Sequence, residues 1–335
     1  MCKRIFANQT TPEGEVPFYK IGTIGDKADA YISKKLFEEY KQRYNYPKCG
    51  EVMITCAGTV GKTILYNGQD AYYQDSNIVW ISNPRKIYSN EFLNYLLNRV
   101  DWSKLNSTTI TRIYNDNLRE LHITFPSREE QDKIVSLLTR IDDRIDTQSK
   151  IIEEQETLLR SLRHKLFNQC LDSHTQCRIG DILSIGSGKD YQHLREGEIP
   201  VYGTGGLISH VNESLYDGES VCIGRKGTIN KPLYLSGRFW TVDTLFYTHS
   251  FNGILPRFCY HLFCTIDWLT YNEASGVPSL SKSTIEKILV SIPQIDIQKR
   301  IVQILDSIEE KINIDRNTLL DYQKQKIHLL SRMFI

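Results

Sequence analysis

Residues 56–63 read "CAGTVGKT", and Gly61-Lys62-Thr63 is how a phosphate-cradling loop ends before its helix. Such a loop needs a glycine five places before its second glycine, so that backbone N–H groups can curl around the phosphates. Cys56 stands there instead, with a Cβ that disfavours the positive φ glycine tolerates. After Lys62 the chain continues as "TILYNG", short and β-branched, the pattern of a strand and not of the required helix. Nucleotide hydrolysis is therefore not the chemistry of this stretch, and Gly58-Thr59 is expected to close a hairpin.

The other reactive residue types fail comparable tests. The eight cysteines contain no Cys-x-x-Cys pair, and Cys259 and Cys264 have only His261 nearby, which reads as free thiols in a reducing cytosol and not as a zinc site. Asp75 and Asp243 recur in "YYQDSNIVWI" and "FWTVDTLFYT", but without the additional acid and lysine that a Mg²⁺-dependent nuclease gathers. They read as strand-end or turn residues. The string nearest to an amino-methyltransferase motif is Asn83-Pro84-Arg85, which does not match. A formal net charge of +1 confines any nucleic-acid surface to a local patch. With no apolar run of membrane-spanning length and no signal-peptide pattern, the expectation is a soluble cytoplasmic protein without a membrane partner.

The frame that must position these residues is duplicated. "EVPFYKIG" (15–22) matches "EIPVYGTG" (198–205), and "GEVMITCAGTVGK" (50–62) matches "GESVCIGRKGTINK" (218–231) with one inserted residue. "FLNYLLNRVDW" (92–102) matches "FCYHLFCTIDW" (258–268), and "LHITFPSREEQDKIVSLL" (121–138) matches "ILVSIPQIDIQKRIVQIL" (288–305). Four matches in one order are the mark of an internal repeat. Each copy starts with short strands broken by Gly, Pro and Asn plus a short helix, a mixed α/β domain. Each then continues, after Pro126 or Pro293, into one long helix. Leu138, Ile145, Ile152, Leu159 and Leu166 recur at heptad spacing, as do Leu305, Ile312 and Leu319, with Leu329 on the same stripe. This predicts a coiled coil about 60 Å long, with Gln148, Gln155 and Asp315 as polar layers that fix register. Copy two opens with "CRIGDILSIGSGKDYQ" (177–192), whereas copy one begins at "MCKRIFANQT". The strand equivalent to 178–181 is thus missing or shortened, which predicts a frayed edge in the first domain or a truncated or rearranged frame.

This order of parts resembles the specificity subunits of type I restriction–modification systems. The match is carried by "SREEQDKIVSLLTRIDDRI" and "DIQKRIVQILDSIEEKI", the endings "LLRSLRHKLF" and "HLLSRMF", "GEIPVYGTGG" and "PSLSK". The fold class so implied is α+β: two homologous mixed α/β target recognition domains, 1–126 and 171–293, joined by helices 127–170 and 294–335 that pair as an antiparallel coiled coil. The resemblance implies that each domain reads half of a split site in double-stranded DNA, and that the helices space the domains and dock two methyltransferase subunits, with restriction subunits as further partners. It implies no catalysis and no cofactor in this chain. S-adenosylmethionine would belong to the methyltransferase, and ATP and Mg²⁺ to the endonuclease. The alternative is a coiled-coil adaptor between proteins, without DNA specificity.

DNA recognition needs phosphate clamps and a few side chains at base edges. The candidates are Arg225, Lys226 and Lys231 in "GRKGTINK", with Thr59 and Lys62 as the counterparts in copy one. A second set lies in "STTITRIYNDN" and "ASGVPSLSKST": Thr109, Thr111 and Arg112, and Ser279, Ser281 and Lys282. Tyr19, Lys20 and Tyr202 follow the shared proline at a strand end.

Overall fold

A computed structural model of the chain describes residues 1–102, 112–169 and 175–333. It divides into two compact units, Met1–Asp146 with Leu320–Ile335, and Thr147–Leu319. Each long helix therefore gives one of its ends to each unit.

Unit 1 begins with β1 (Val16–Tyr19), β2 (Tyr31–Ile32) and α1 (Lys34–Arg43), followed by β3 (Val52–Thr55), β4 (Thr63–Leu65), β5 (Tyr72–Tyr73) and β6 (Ile78–Ile81). Two small sheets form, in the orders β2-β1-β5 and β4-β3-β6. Two helices complete the globular part, α2 (Asn90–Leu97) and α3 (Asn115–Arg119). Ser33 and Ser89 start α1 and α2 by accepting from the N–H groups of Leu36 and Phe92, both at 3.3 Å, donors that the helix itself leaves orphaned. Helix α4 (Arg128–Gln169) starts in a capping box. The Ser127 hydroxyl accepts from Glu130 N at 3.3 Å, and the Glu130 carboxylate accepts from Ser127 N at 2.9 Å. Those bonds from Ser127 hold the Glu130 carboxyl below its usual range.

Unit 2 repeats this plan with additions at its front, β7 (Thr175–Arg178), α5 (Ile179–Ile182) and β8 (Ser184–Ser187). Next come β9 (Ile199–Gly203), β10 (Gly206–Val211), β11 (Tyr216–Asp217), β12 (Ser220–Gly224), β13 (Leu233–Leu235), β14 (Arg238–Thr241) and β15 (Leu245–His249). The chain closes with α6 (Pro256–Phe263), α7 (Lys282–Lys287), β16 (Leu289–Ile292) and α8 (Ile295–Met333). The sheet orders β10-β9-β14-β11 and β13-β12-β15-β8 contain those of unit 1. The parallel pair β9–β14 mirrors β1–β5, and the antiparallel β12–β13 hairpin mirrors β3–β4. Residues 1–6, by contrast, form no strand.

The long helices α4 and α8 pack together and run antiparallel. In unit 2, Glu156 pairs with Arg316 at 2.5 Å and Arg163 with Glu309. In unit 1, Asp142 pairs with Lys326 at 2.5 Å, and the Arg144 guanidinium lies 5.9 Å from the Tyr322 ring centre. Positions fall along α8 as they rise along α4. Ile152, Leu159, Leu305 and Ile312 are buried in one core, and Leu166 and Leu319 pack against it. Leu138 is buried, and Ile145 and Leu329 are half-buried. The expected polar layers meet one another: Gln155 Nε2 donates to the Asp315 carboxylate at 2.9 Å, and Gln148 Nε2 to the Asp315 carbonyl at 3.3 Å. Lys311, bonded at 2.9 Å, and Gln155 hold the Asp315 carboxyl below its ordinary range. No helix among the described residues is long and apolar enough to cross a membrane.

Candidate nucleic-acid interface

In unit 2 the two cationic segments read from the sequence come together. Gly227, at φ +93°, turns the chain after β12, a backbone region open to glycine. The segment before α7 is then stitched to this turn: Leu280 N donates to Arg225 O at 2.9 Å and Gly227 N to Pro278 O at 2.8 Å, with a β-bridge between Lys226 and Ser279. A cleft forms whose lining includes Arg225, Lys226, Asp243, Thr244, Ser279 and Lys282. Arg225 and Lys226 are exposed, and among the described residues neither they nor Lys282 forms an ion pair.

Ser281, in the lining of the same cleft, also fixes the shape of this loop. It caps α7 by accepting from Thr284 N at 3.2 Å and donates its hydroxyl to Glu273 at 2.7 Å. Thr284 also bonds to Glu273, and these hydroxyls hold its carboxyl below the usual glutamate range. Glu273 thus acts as a knot that fixes the shape of the basic loop.

Unit 1 builds the same stitch with different side chains. Ile113 N donates to Cys56 O at 2.9 Å, the counterpart of the Leu280–Arg225 bond. Arg112 donates to Ser76 O at 3.3 Å and lies 5.9 Å from the Tyr114 ring centre. Thr59 and Lys62 are exposed in a shallow cleft beside Asn98 and Trp102. Thr109 and Thr111 lie outside the described residues. The glycines of the phosphate-loop-like string have structural reasons: Gly58 and Gly61 have φ of +66° and +84°, and a Cβ on Gly61 would stand 2.0 Å from Trp102 Cδ1. Strand β4 comes next after the loop and pairs antiparallel with β3, which makes it a hairpin.

Tyr19 and Tyr202 take equivalent places on β1 and β9, opposite Tyr73 and Thr241 of the parallel partner strands. Tyr19 stacks on Tyr73 with ring centres 5.9 Å apart, and Lys20 pairs with Asp29 at 3.0 Å. The strand ends approach the Gly-Thr turns, since a Cβ on Gly58 would meet Ile21 at 2.6 Å and one on Gly227 would meet Thr204 at 3.8 Å. Lys231 is not among the residues that line the cleft of Arg225 and Lys226. It borders a second cleft that also includes Arg160, Arg163, Glu309 and Arg316.

That second cleft adjoins a cluster that sequence reading missed. Burial lowers the affinity of His261 for a proton below that of an ordinary histidine. Its Nδ1 accepts from Arg163 Nε at 3.2 Å, so Nε2 carries the proton, facing Asp306 at 2.8 Å. Arg257 Nε bonds to Asp306 at 2.7 Å, and both Arg163 and Arg257 pair with Glu309. His261, Asp306 and Glu309 are close enough to hold a metal ion, but two guanidiniums already neutralise the two carboxylates. The arrangement is a buried ion network tying α6 to both long helices. Its members lie far apart in sequence, so no local spacing reveals it. Gln131 and Gln298, both buried, were missed as well. Gln131 accepts from Ser89 N at 2.7 Å and donates to Pro126 O at 3.0 Å. Gln298 accepts from Leu255 N at 2.8 Å and donates to Gly253 O and Pro293 O at 2.9 and 2.8 Å. Here a signal existed, since both glutamines stand at the same place in the repeat.

A sequence model of the type I restriction modification DNA specificity domain matches residues 1–157 and 174–321. The chain belongs to this family. A putative type I restriction enzyme specificity subunit of Haemophilus influenzae is 49% identical over 142 residues, 42% of this chain and 37% of that protein. A type I specificity subunit of Escherichia coli is 22% identical over 245 residues, 65% of this chain and 60% of that protein. The chain thus spans less than two thirds of the length of these two relatives. A specificity subunit of Methanocaldococcus jannaschii is 23% identical across 96% of this chain and 86% of its own length. The fold is that of the crystal structure of a type I restriction–modification S subunit from M. genitalium, with a TM-score of 0.66, 19% identity, and coverage of 100% of this chain and 92% of that one. A chain from a structure of type I restriction–modification complex assembly gives a TM-score of 0.59 at 13% identity, covering 95% of this chain and 90% of that one.

Proposed function

We propose that this chain is the DNA-recognition subunit of a type I restriction–modification complex, in which each unit reads one half of a bipartite duplex site. In this reading the paired helices α4 and α8 set the spacing and dock two methyltransferase subunits, and a restriction subunit joins the same assembly. The chain itself performs no catalysis. S-adenosylmethionine is bound by the methyltransferase, and ATP and Mg²⁺ by the endonuclease. The four-part division into 1–126, 127–170, 171–293 and 294–335 is then a functional one, of readers and spacers.

Family membership supports this reading, and the unit 2 cleft is the observation that carries it to particular residues. Arg225, Lys226 and Lys282 line that cleft and form no ion pair among the described residues, beside a segment that Glu273 fixes in shape. Cations not tied up in ion pairs beside a fixed turn suit phosphate contact, which positions a protein on a duplex without reading its sequence. Base reading falls to Ser279 and Tyr202 in unit 2, and to Thr59, Tyr19 and Arg112 in unit 1. Lys20 and Lys62 are further phosphate candidates.

The test uses the chain assembled with its methyltransferase. Changing Arg225, Lys226 and Lys282 together to alanine is expected to reduce the slope of log affinity against log salt by about 0.9 per lost phosphate contact, with the preferred sequence unchanged. Lys231→Ala, in the other cleft, is expected to leave the slope as it was. Equal slopes for the triple variant and the parent would remove this cleft from the DNA face.

A further inference from the structure

Residues 274–278 form a short finger beside the cationic cleft of unit 2, and its base is pinned from several sides. Glu273 N donates to Ser279 O at 3.0 Å, closing the loop across its neck. The Asn272 side chain fills that neck. Its Oδ1 accepts from Ala274 N at 3.1 Å and from Ser279 N at 2.9 Å, and its Nδ2 donates to Ala274 O at 2.8 Å. Pro278 O accepts from Gly227 N at 2.8 Å, which ties the finger to the turn after β12. The Glu273 carboxylate accepts from Ser281 and Thr284, so the neck is also anchored to the start of α7.

What this frame presents is Val277. Residues 275–277 are the bend at the end of the finger. Val277 is 56% exposed, yet it stands in the lining of the cleft with Arg225, Lys226 and Lys282. Gly276 beside it faces open space, with nothing within 4 Å of where its Cβ would stand. A single exposed valine on a surface calls for no explanation. This one differs in its setting, because a hydrogen-bonded neck holds it among cations suited to phosphate. The aligned residue of copy one is Ile110, also apolar, which lies outside the described residues.

We infer that Val277 is a base-reading residue that selects thymine by contact with its C5-methyl group. Along the base edges of a major groove the thymine methyl is the apolar feature, set among hydrogen-bond donors and acceptors. The valine side chain makes no hydrogen bond, so the methyl is what it can distinguish. The groove is about 12 Å wide and admits a helix or a two-stranded ribbon, and a finger closed by its own neck is of that gauge. Arg225, Lys226 and Lys282 hold the backbone, while the fixed neck sets how far the tip enters. A loop already ordered in this way loses little freedom on binding. The inference rests on the DNA-recognition reading and adds to it the identity of one base.

The full chain, assembled with its methyltransferase, is titrated with duplexes carrying its own methylated site, mapped beforehand. In each duplex one thymine of the site is replaced by deoxyuridine, which removes the methyl and nothing else. One position, in one half-site, is expected to weaken binding by the parent about four-fold, the factor for burial of one methyl-sized group. In Val277→Ala that position should no longer distinguish thymine from deoxyuridine, while the slope of log affinity against log salt stays that of the parent. If no position loses its deoxyuridine effect in the variant, the inference is overturned. A loss in Val277→Ala that is equal on thymine and deoxyuridine duplexes would also overturn it, and would mark a wedge between base steps instead. The parent's salt slope separates the two readings. A steep slope without a methyl effect removes Val277 alone, whereas no salt-dependent duplex binding removes the DNA-recognition reading with it.

Discussion

The place where each globular part meets the long helices is built alike in the two units and filled differently. Unit 2 puts His261 beneath Asp306 and Glu309 with Arg163 and Arg257 between them, a network whose ion pairs are largely out of water. Unit 1 has Tyr95 at the place of His261 and Asp142 at the place of Glu309. There the phenol donates to Asp142 at 2.7 Å, and Lys326 closes the pair at 2.5 Å. Duplication thus preserved an acid on the helix and a polar ring on the short helix, while the number of charges drifted. The glutamine clamp did not drift. Gln131 and Gln298 satisfy main-chain groups of their units in the same way, because an unmet buried N–H is penalised whatever the neighbours are. Chemistry that serves the backbone is held more tightly than chemistry that serves side chains.

The largest difference between the units is expected on removing the acid. Glu309→Ala leaves two guanidiniums with one carboxylate between them. The Arg163 and Glu309 side chains are 11% and 16% exposed, and breaking a buried pair from one side costs about 3–5 kcal/mol. Asp142→Ala in unit 1 should cost less than about 1 kcal/mol, since both partners there are 31% exposed and solvent screens the pair. Denaturant unfolding followed separately in each unit by hydrogen exchange would measure both. Similar losses would show that burial does not separate the two junctions.

The glutamines sharpen the comparison from the other side, with a smaller effect that should be equal in both halves. Gln131→Ala and Gln298→Ala each orphan a main-chain N–H, worth about 1–3 kcal/mol. Losses that differ between the two variants by more than that range would mean the clamps are not equivalent.

Much of this frame was legible in the sequence, for definable reasons. Heptad leucines and isoleucines reveal α4 and α8 because a helix repeats its buried face every few residues. The repeat exposed the hairpin behind Gly58-Thr59, since a phosphate loop would have kept Gly61 where copy two has Asn230. The cationic cleft was legible in part: Arg225, Lys226 and Lys282 were read as two separate loops, and their stitching through Leu280 and Gly227 is a tertiary fact. Lys231 was grouped with Arg225 by adjacency in the chain, but the loop carries it to another cleft. The His261 network was not legible. Its residues come from α4, α6 and α8, and nothing in any one stretch announces the other two.

The smallest expected effect concerns protons at that network. Burial depresses the proton affinity of His261, and Arg163, which donates to Nδ1, leaves Nε2–H facing Asp306. The other titratable groups against it are Arg257, Tyr260 and Glu309. Below about pH 6.5, the ordinary histidine value, the unfolded chain takes up a proton at this residue that folded unit 2 refuses. The unfolded state then binds more protons, so the stability of unit 2 falls as pH drops from that value toward the depressed one in the fold. In unit 1 the counterpart is Tyr95, whose burial raises its pKa to about 12, so it does not titrate in this window. Between pH 7 and pH 5.5, exchange of unit 2 core amides should therefore speed up relative to those of unit 1. His261→Gln, which keeps a polar side chain but cannot titrate, should abolish that difference. If the variant kept the same pH dependence as the parent, His261 would not be its source, and the two junctions would differ in charge without differing in their response to acid.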